Sequence, residues 1–308
     1  MDSKQKIFNI LNRADGVISG ETLSAELGVS RVSIWKHIQG LVQSGISIVS
    51  SPKGYCMTRD PDSLVPWAFE AWQDRIHYFQ ETGSTMDEAM VMARKGCADF
   101  TVVVAQRQTC GRGRMQRTWV SADGGLYFTV VVRPDIPMVL AGLVNLAAAV
   151  DMANLLRSLY QVDACLKWPN DILVNQHKLC GVLSQIDAEG DQVAHMNIGI
   201  GLNVNNAPET ESPMAISLQA VLGRSVPRRE ILIAFLNDFE KRMSTLDPHA
   251  VIDEWKSNNV TLGRPVRVVT VKDMVEGTAV DVDSHGGLIL QLADGTCQTV
   301  MHGDCFHR

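Results

Sequence analysis

Gly111-Arg112-Gly113-Arg114-Met115-Gln116-Arg117-Thr118-Trp119 joins two apolar runs, Thr101–Ala105 and Leu126–Val132. Both runs are rich in β-branched and aromatic residues and read as buried strands. The connection between them is not helical, because glycine costs roughly 1 kcal/mol per helix position relative to alanine. What remains is a flexible loop with fixed positive charge at Arg112, Arg114 and Arg117 and with free backbone N–H groups, a combination suited to an anion. A solvated basic turn is the competing reading of these nine residues taken alone.

Working outward, the chain of 308 residues is long enough for two domains, or three if some are small. Hydrophobic residues make up 45% and charged residues 20%, the balance of a globular protein. No stretch of about 18 uncharged apolar residues interrupts it, so no membrane span is expected, and the N-terminus lacks a signal-peptide core. Seven cysteines, odd in number and without a C-x-x-C pair, favour reduced thiols in a cytoplasm over disulfides or a zinc site. The net charge of −6 is uneven: residues 1–60 hold seven Lys and Arg against five Asp and Glu, and the rest is acidic. Any contact with DNA is therefore expected in the first sixty residues.

Those residues have the pattern of a winged helix-turn-helix. Ile7, Ile10 and Leu11 mark one helix, Glu21–Leu27 a second that Gly28 ends, and Ser30 caps a third with the apolar stripe Ile34, Ile38, Leu41 and Val42. The turn Gly28-Val29-Ser30 has helix-turn-helix length. Arg31, Ser33, Trp35, Lys36 and Gln39 on the third helix can reach phosphates and base edges. A hairpin, Ile46–Val49 and Tyr55–Met57, places Lys53 at the tip of a wing; a purely structural or protein-docking wing is the alternative. Arg59–Pro66, with two prolines and two aspartates, reads as a linker.

Beyond the linker, Glu81–Met86 is a polar turn into a helix, Asp87–Arg94, and Leu140–Leu156 is a long apolar helix of scaffold type. Lys167-Trp168-Pro169-Asn170-Asp171 turns the chain into a hairpin, Ile172–Val174 and Lys178–Ile186, around Asn175-Gln176. Val193–Val204 is a strand containing Gly199 and Gly201, where another backbone or a ligand can come close. Helices at Arg228–Leu246 and Ala250–Ser257 follow, then short strands at Val266–Val271, Glu276–Val282, Leu288–Leu292 and Thr299–His302.

GRGR, KWPND and Lys178-Leu179-Cys180-Gly181-Val182-Leu183, in this order and spacing, resemble the signature set of the biotin protein ligases, over essentially the whole chain. With the N-terminal helix-turn-helix, the chain resembles the bifunctional ligase/repressor branch of that family. The resemblance implies an α+β fold in three parts: a winged helix-turn-helix at residues 1–60, a catalytic domain of biotin/lipoyl-ligase type, class II synthetase-like, at 67–261, and an SH3-like barrel at 262–308. The lipoate-ligase stretch Arg-Arg-x-Ser-Gly-Gly-Gly is absent from the sequence. A non-enzymatic biotin sensor is disfavoured by the presence of Arg112, Asp171 and Lys178 together.

The same resemblance implies the site. Ser84 and Thr85 would hold the ureido ring of biotin, with Met86 where a polar amide is usual. Gln108, Gly111, Arg112, Gly113, Lys178, Gly181, Gly199 and Gly201 would complete the biotin pocket. Arg114, Arg117, Trp119, Asn170, Lys178 and Asn203 would face ATP and the adenylate, Trp119 packing on the loop once it closes. Asp171 would hold Mg2+, although a plain hairpin-turn aspartate is an equal reading of that position. Gln116 replaces a glycine common in the family, which implies a stiffer loop, and Ala215 stands where some bifunctional members place a tryptophan on adenine. Lys178 is the first candidate for catalysis, since joining a carboxylate to a phosphate needs a fixed cation between two anions; Arg112 and Asp171 are the others. The implied partners are biotin, ATP, a lysine of a biotin carboxyl carrier protein, operator DNA, and a second copy of the chain once biotinyl-AMP is bound.

Overall fold

The computed structural model describes residues 3–43, 45–58, 62–210, 212–270 and 273–307. Three helices open the chain, α1 (Ser3–Arg13), α2 (Gly20–Leu27) and α3 (Arg31–Gln43), followed by a hairpin of β1 (Ile48–Ser51) and β2 (Gly54–Met57). Ser19 caps α2, Gly28 ends it in the left-handed conformation, and Ser30 Oγ accepts from Ser33 N at the start of α3. Ile7, Leu11, Leu23, Ile34, Ile38 and Leu41 make a small separate core. Val42, expected on that apolar stripe, is instead 41% exposed, because the buried arc of α3 ends at Leu41. The wing strand starts two residues later than its sequence suggested, and Ser51 pairs with Gly54. Ile18 adds to the hairpin by two hydrogen bonds with Tyr55. A side chain at Gly54, where φ is 136°, would run into the Ile18 carbonyl at 2.1 Å, so this close approach requires glycine.

Of the expected linker, Arg59, Asp60 and Pro61 lie outside the described residues. The remainder is firmly attached: Asp62 takes hydrogen bonds from the backbone N and Nε of Arg228, at 2.6 and 2.7 Å, and Leu64 and Val65 are buried.

The central unit is a seven-stranded sheet. Its elements in chain order are β3 (Ile76–Thr82), α4 (Thr85–Arg94), β4 (Thr101–Gln108), β5 (Leu126–Val132), α5 (Ala141–Tyr160), β6 (Cys165–Lys167), β7 (Asp171–Val174), β8 (His177–Glu189), β9 (Gln192–Leu202), α6 (Leu218–Leu222), α7 (Arg228–Ser244) and α8 (Pro248–Ser257). The strand order is β3-β4-β5-β9-β8-β7-β6, antiparallel except for β3 with β4. Side chains alternate across each strand, so the same strands serve two purposes. Val102, Val104, Phe128, Val130, Ile198 and Ile200 face α5, α7 and α8 in the main core, while Val103 and Val131 meet Ala89 and Ala93 of α4. The segment Met138–Tyr160 is long and apolar enough to cross a membrane by length and composition. It is mostly buried under the sheet, and its Asp151 is paired with Arg242 at 2.6 Å, so we read it as the core helix of the fold.

The C-terminal unit is a five-stranded antiparallel sheet of β10 (Pro265–Val269), β11 (Met274–Val282), β12 (Leu288–Gln291), β13 (Cys297–Val300) and β14 (Asp304–His307), in the order β13-β12-β11-β10-β14. Val271, expected to end the first of these strands, lies outside the described residues. The expected strand Thr299–His302 is corrected: β13 ends at Val300, a turn follows, and β14 is a further strand. The unit is docked on the sheet through Trp168, whose indole N–H donates to Gly286 O at 3.0 Å, and through Thr261, which accepts from Trp168 N.

His307 lies in this junction. Burial, then the charges of Lys167 and Arg264, push its pKa down to about 4. A depressed histidine pKa favours the neutral folded form, so the unfolded chain takes up the proton first and stability falls as pH drops from about 6.5 towards about 4. Thermal melts of wild type and His307→Gln across this window are expected to converge at low pH; parallel curves would assign the acid sensitivity elsewhere.

Candidate functional site

One cavity of about 300 Å3 opens on the face of the sheet opposite α5. Ser84, Thr85, Gln108, Arg112, Gly113, Arg114, Arg117, Trp119, Asn170, Asp171, Lys178, Gly181, Gly199, Gly201 and Asn203 all line it. Gly111 is buried behind the loop and outside that lining.

The floor is glycine. Gly181 pairs with Gly201, and Gly201 and Gly199 pair with Tyr127 and Thr129. The Trp119 indole rests on this floor: a Cβ on Gly201 would come within 2.5 Å of Cε2, and one on Gly181 within 3.1 Å of Cζ3. Its Nε1 is buried with no partner. Met86 covers the next floor position, its sulfur 2.6 Å from where a Cβ of Gly199 would lie.

The wall beside the floor is a polar chain. Thr129 Oγ1 donates to Thr85 Oγ1 at 2.9 Å, Thr85 donates from Oγ1 and N to Gln108 Oε1, and Gln108 Nε2 donates to Ser121 Oγ. Ser84 caps α4, accepting from Met86 N at 3.3 Å. Thr129 and Ser121 carry no sequence signal of their own, since each is one polar residue in or beside an apolar strand.

The arginine loop is more ordered than its glycines suggested. It is a small hairpin closed by Trp119 N–Gly111 O at 2.9 Å and Gly113 N–Arg117 O at 2.7 Å. Neither glycine has positive φ; Gly111 is required because a Cβ would meet Trp119 O at 2.3 Å. The left-handed residues are Met115 and Gln116, at φ 51° and 59°, the two central positions of a type I′ tip. Side chains there cost roughly 1–2 kcal/mol each.

Every cation in the cavity has a carboxylate beside it. Lys178 Nζ is 2.6 Å from Asp171 Oδ1 and 5.2 Å from the Trp119 ring centre. Arg112 is 2.6 Å from Asp87 in the first turn of α4. Arg117 pairs with Asp304, and Arg114 donates to Gly303 O at 3.0 Å, with its Nε 3.7 Å from Asp304. Burial, above all, lowers the Arg114 pKa. Asp87 and Asp304 were not legible as site residues: the first reads as an ordinary first-turn acid, and the second is distant in sequence. Asn170 is buried and donates to Val182 O at 2.7 Å, so it shapes the turn beside Asp171. Asn203 accepts from Asn206, and Ala215 lines the cavity on a loop bound to Lys178 through its backbone.

No cluster of three or more His, Cys, Asp or Glu suited to a metal occurs among the described residues. Asp171 lines the cavity and fits Mg2+, which takes one or two carboxylates plus substrate phosphates, with its Oδ1 already held by Lys178 Nζ at 2.6 Å.

On the N-terminal unit, Arg31, Trp35, Gln39 and Lys53 line one depression between α3 and the wing, whereas Ser33 and Lys36 lie outside it. Trp35 is 53% exposed, unusual for an indole without a partner surface.

The geometry of the floor is testable without a ligand. Gly201→Ala should cost about 1–3 kcal/mol of stability through overpacking against the indole, and adding Trp119→Ala should remove that cost. Equal costs in both backgrounds in denaturant melts would place the indole elsewhere.

Three family profiles match: the biotin/lipoate A/B protein ligase family at residues 82–203, an HTH domain at 3–56 and the biotin protein ligase C-terminal domain at 261–308. The bifunctional ligase/repressor BirA of Bacillus subtilis is 33% identical over 90% of both chains. The biotin–[acetyl-CoA-carboxylase] ligase of Mycobacterium tuberculosis is 34% identical over 78% of this chain and 91% of its own. The Aquifex aeolicus biotin protein ligase, solved with biotin and ATP, superposes with a TM-score of 0.63 at 26% identity, over 76% of this chain and 98% of that one. The chain belongs to the biotin protein ligase family, on the branch of the bifunctional ligase/repressors.

Proposed function

We propose that the protein is an ATP-dependent biotin protein ligase that also represses biotin-synthesis genes, with biotinyl-5'-AMP as corepressor. In this reading the chain divides at 1–60, 67–261 and 262–308, the last being an SH3-like barrel and the middle a class II synthetase-like fold. The observation that carries it is the convergence of Lys178, Arg112, Arg114 and Arg117 over a glycine floor, opposite the Thr85–Gln108 chain.

Biotin lies with its ring towards Ser84, Thr85 and Gln108, along Arg112, Gly113, Gly181, Gly199 and Gly201, with Gly111 behind them shaping the loop. A carboxylate oxygen attacks the α-phosphorus of ATP, the bond to the β-phosphate oxygen breaks, and pyrophosphate leaves. Lys178 sits between carboxylate and phosphate, reduces their repulsion and stabilises the charge that builds up. Arg112 holds the acyl-adenylate, Arg114 and Arg117 the phosphates, with Trp119, Asn170 and Asn203 beside the nucleotide. Mg2+ held by Asp171 and phosphate oxygens would neutralise charge on the phosphate chain. The ε-amine of a lysine on a biotin carboxyl carrier protein then attacks the mixed anhydride carbonyl, loses a proton and releases AMP. No cysteine lines the cavity among the described residues, and burial pushes the Cys180 thiol far up, which supports a route without an enzyme thioester. All seven cysteines are free, in keeping with a cytoplasmic site of action.

Arg31, Ser33, Trp35, Lys36, Gln39 and Lys53 are the DNA-facing residues. One slightly basic winged helix on an acidic body holds DNA weakly, so two copies in a homodimer would bind half-sites a whole number of turns apart. Ordering of the arginine loop around biotinyl-AMP would complete the dimer surface, in competition with the acceptor protein.

Mass spectrometry of a carrier domain after incubation with the protein, biotin and ATP should show one added biotinyl group; an unmodified carrier would overturn the ligase reading. Lys178→Ala should slow biotin-dependent pyrophosphate release about 10²–10³-fold while the far-UV circular dichroism stays unchanged. Near-normal release would remove Lys178 from the chemistry. Operator retention should require biotin plus ATP and should vanish on deletion of residues 1–60; ligand-independent retention would refute the corepressor role.

A further inference from the structure

The ligase reading leaves unexplained why a carboxylate from the C-terminal sheet lies among the arginines assigned to phosphate. Asp304 opens β14, and its side chain is only 17% exposed. It pairs with Arg117 and lies 3.7 Å from Arg114 Nε, while the neighbouring Gly303 carbonyl takes a hydrogen bond from Arg114. Arg114 Nε is buried and lacks a hydrogen-bond partner, so it has a donor to spare for another anion in the cavity.

We propose that Asp304 is a resident counter-ion for Arg114 and Arg117, which the phosphate chain of the nucleotide displaces. The proposal rests on the ligase reading and adds a positioning residue from the C-terminal unit. Before substrate arrives, two adjacent guanidinium groups would repel each other, and one carboxylate between them holds both in place. A phosphate offers the same acceptor geometry with more charge, and guanidinium binds either anion through paired N–H donors. Nucleotide binding would therefore exchange one anion for another at fixed arginines. Asp304 acts through the arginines, not on the reacting atoms.

Two consequences have the same sign. Removing the carboxylate's charge removes a competitor for the arginines and makes the cavity more positive towards a polyanion. The remaining Arg114–Gly303 bond keeps the loop attached, since it uses a backbone carbonyl.

The test is calorimetric titration of the full chain with α,β-methylene ATP, which is not cleaved at the reacting bond. Asp304→Asn should bind it two- to five-fold more tightly than wild type at low salt, and the gain should shrink at high ionic strength. Asp304→Ser, a second neutral variant in this turn, should show the same gain should the asparagine variant fail to fold, and Asp304→Glu should bind as wild type does. In an Arg117→Ala background the gain from Asp304→Asn should fall away, as it must when both act on one contact. Unchanged or weaker binding by the folded neutral variants, restored by glutamate, would overturn the proposal and leave the ligase reading standing. A wild-type chain that binds no analogue and biotinylates no carrier would overturn both.

Discussion

Four cations have to share one small cavity, and the rest of the site is arranged to make that tolerable. Two like charges 4 Å apart repel by about 1 kcal/mol in water and about 4 kcal/mol at the effective dielectric near a protein surface. Asp87 from α4, Asp171 from β7 and Asp304 from β14 meet this repulsion from three separate parts of the chain. The arginine hairpin, the KWPND turn and the C-terminal sheet consequently depend on one another. A polyanionic substrate enters a site whose positive groups are already placed, at the expense of pairs that are partly exposed and individually weak.

The second constraint is room. β9 turns Met196, Ile198, Ile200 and Leu202 into the core and Gly199 and Gly201 into the cavity, so one strand is packed solidly behind and left bare in front. The period of two makes this division possible without a break in the sheet. The bare strip is wide enough for an indole, and Trp119 lies on it; Met86 fills the next position with a flexible apolar chain. A ligand lying along the strip takes the place of side-chain contacts, not of bulk water alone.

Much of this was legible in the sequence for physical reasons that can be named. The apolar runs on either side of GRGR, the glycines of β9, the helix stop at Gly28 and the cap at Ser30 each act within a few residues, where periodicity and turn chemistry are informative. The family motifs then supplied long-range order that periodicity does not. What the sequence hid was mostly non-local. Asp304 acts on a loop far away in the chain, and β14 is too short and polar to show alternation. The arginine loop was read as flexible from its glycines, yet its left-handed residues are Met115 and Gln116, and Gly111 is there for space. Val42 fell outside the buried arc because a stripe extrapolated by spacing does not know where the neighbouring helix stops.

The central claim is that this cavity joins a carboxylate oxygen to the α-phosphorus of ATP before transfer to an amine. Biotin labelled with 18O in its carboxylate decides it in a single complete turnover with a carrier domain. The account predicts one labelled oxygen in the released AMP and none in pyrophosphate. Label in phosphate or pyrophosphate, or unlabelled AMP alongside biotinylated carrier, would contradict it.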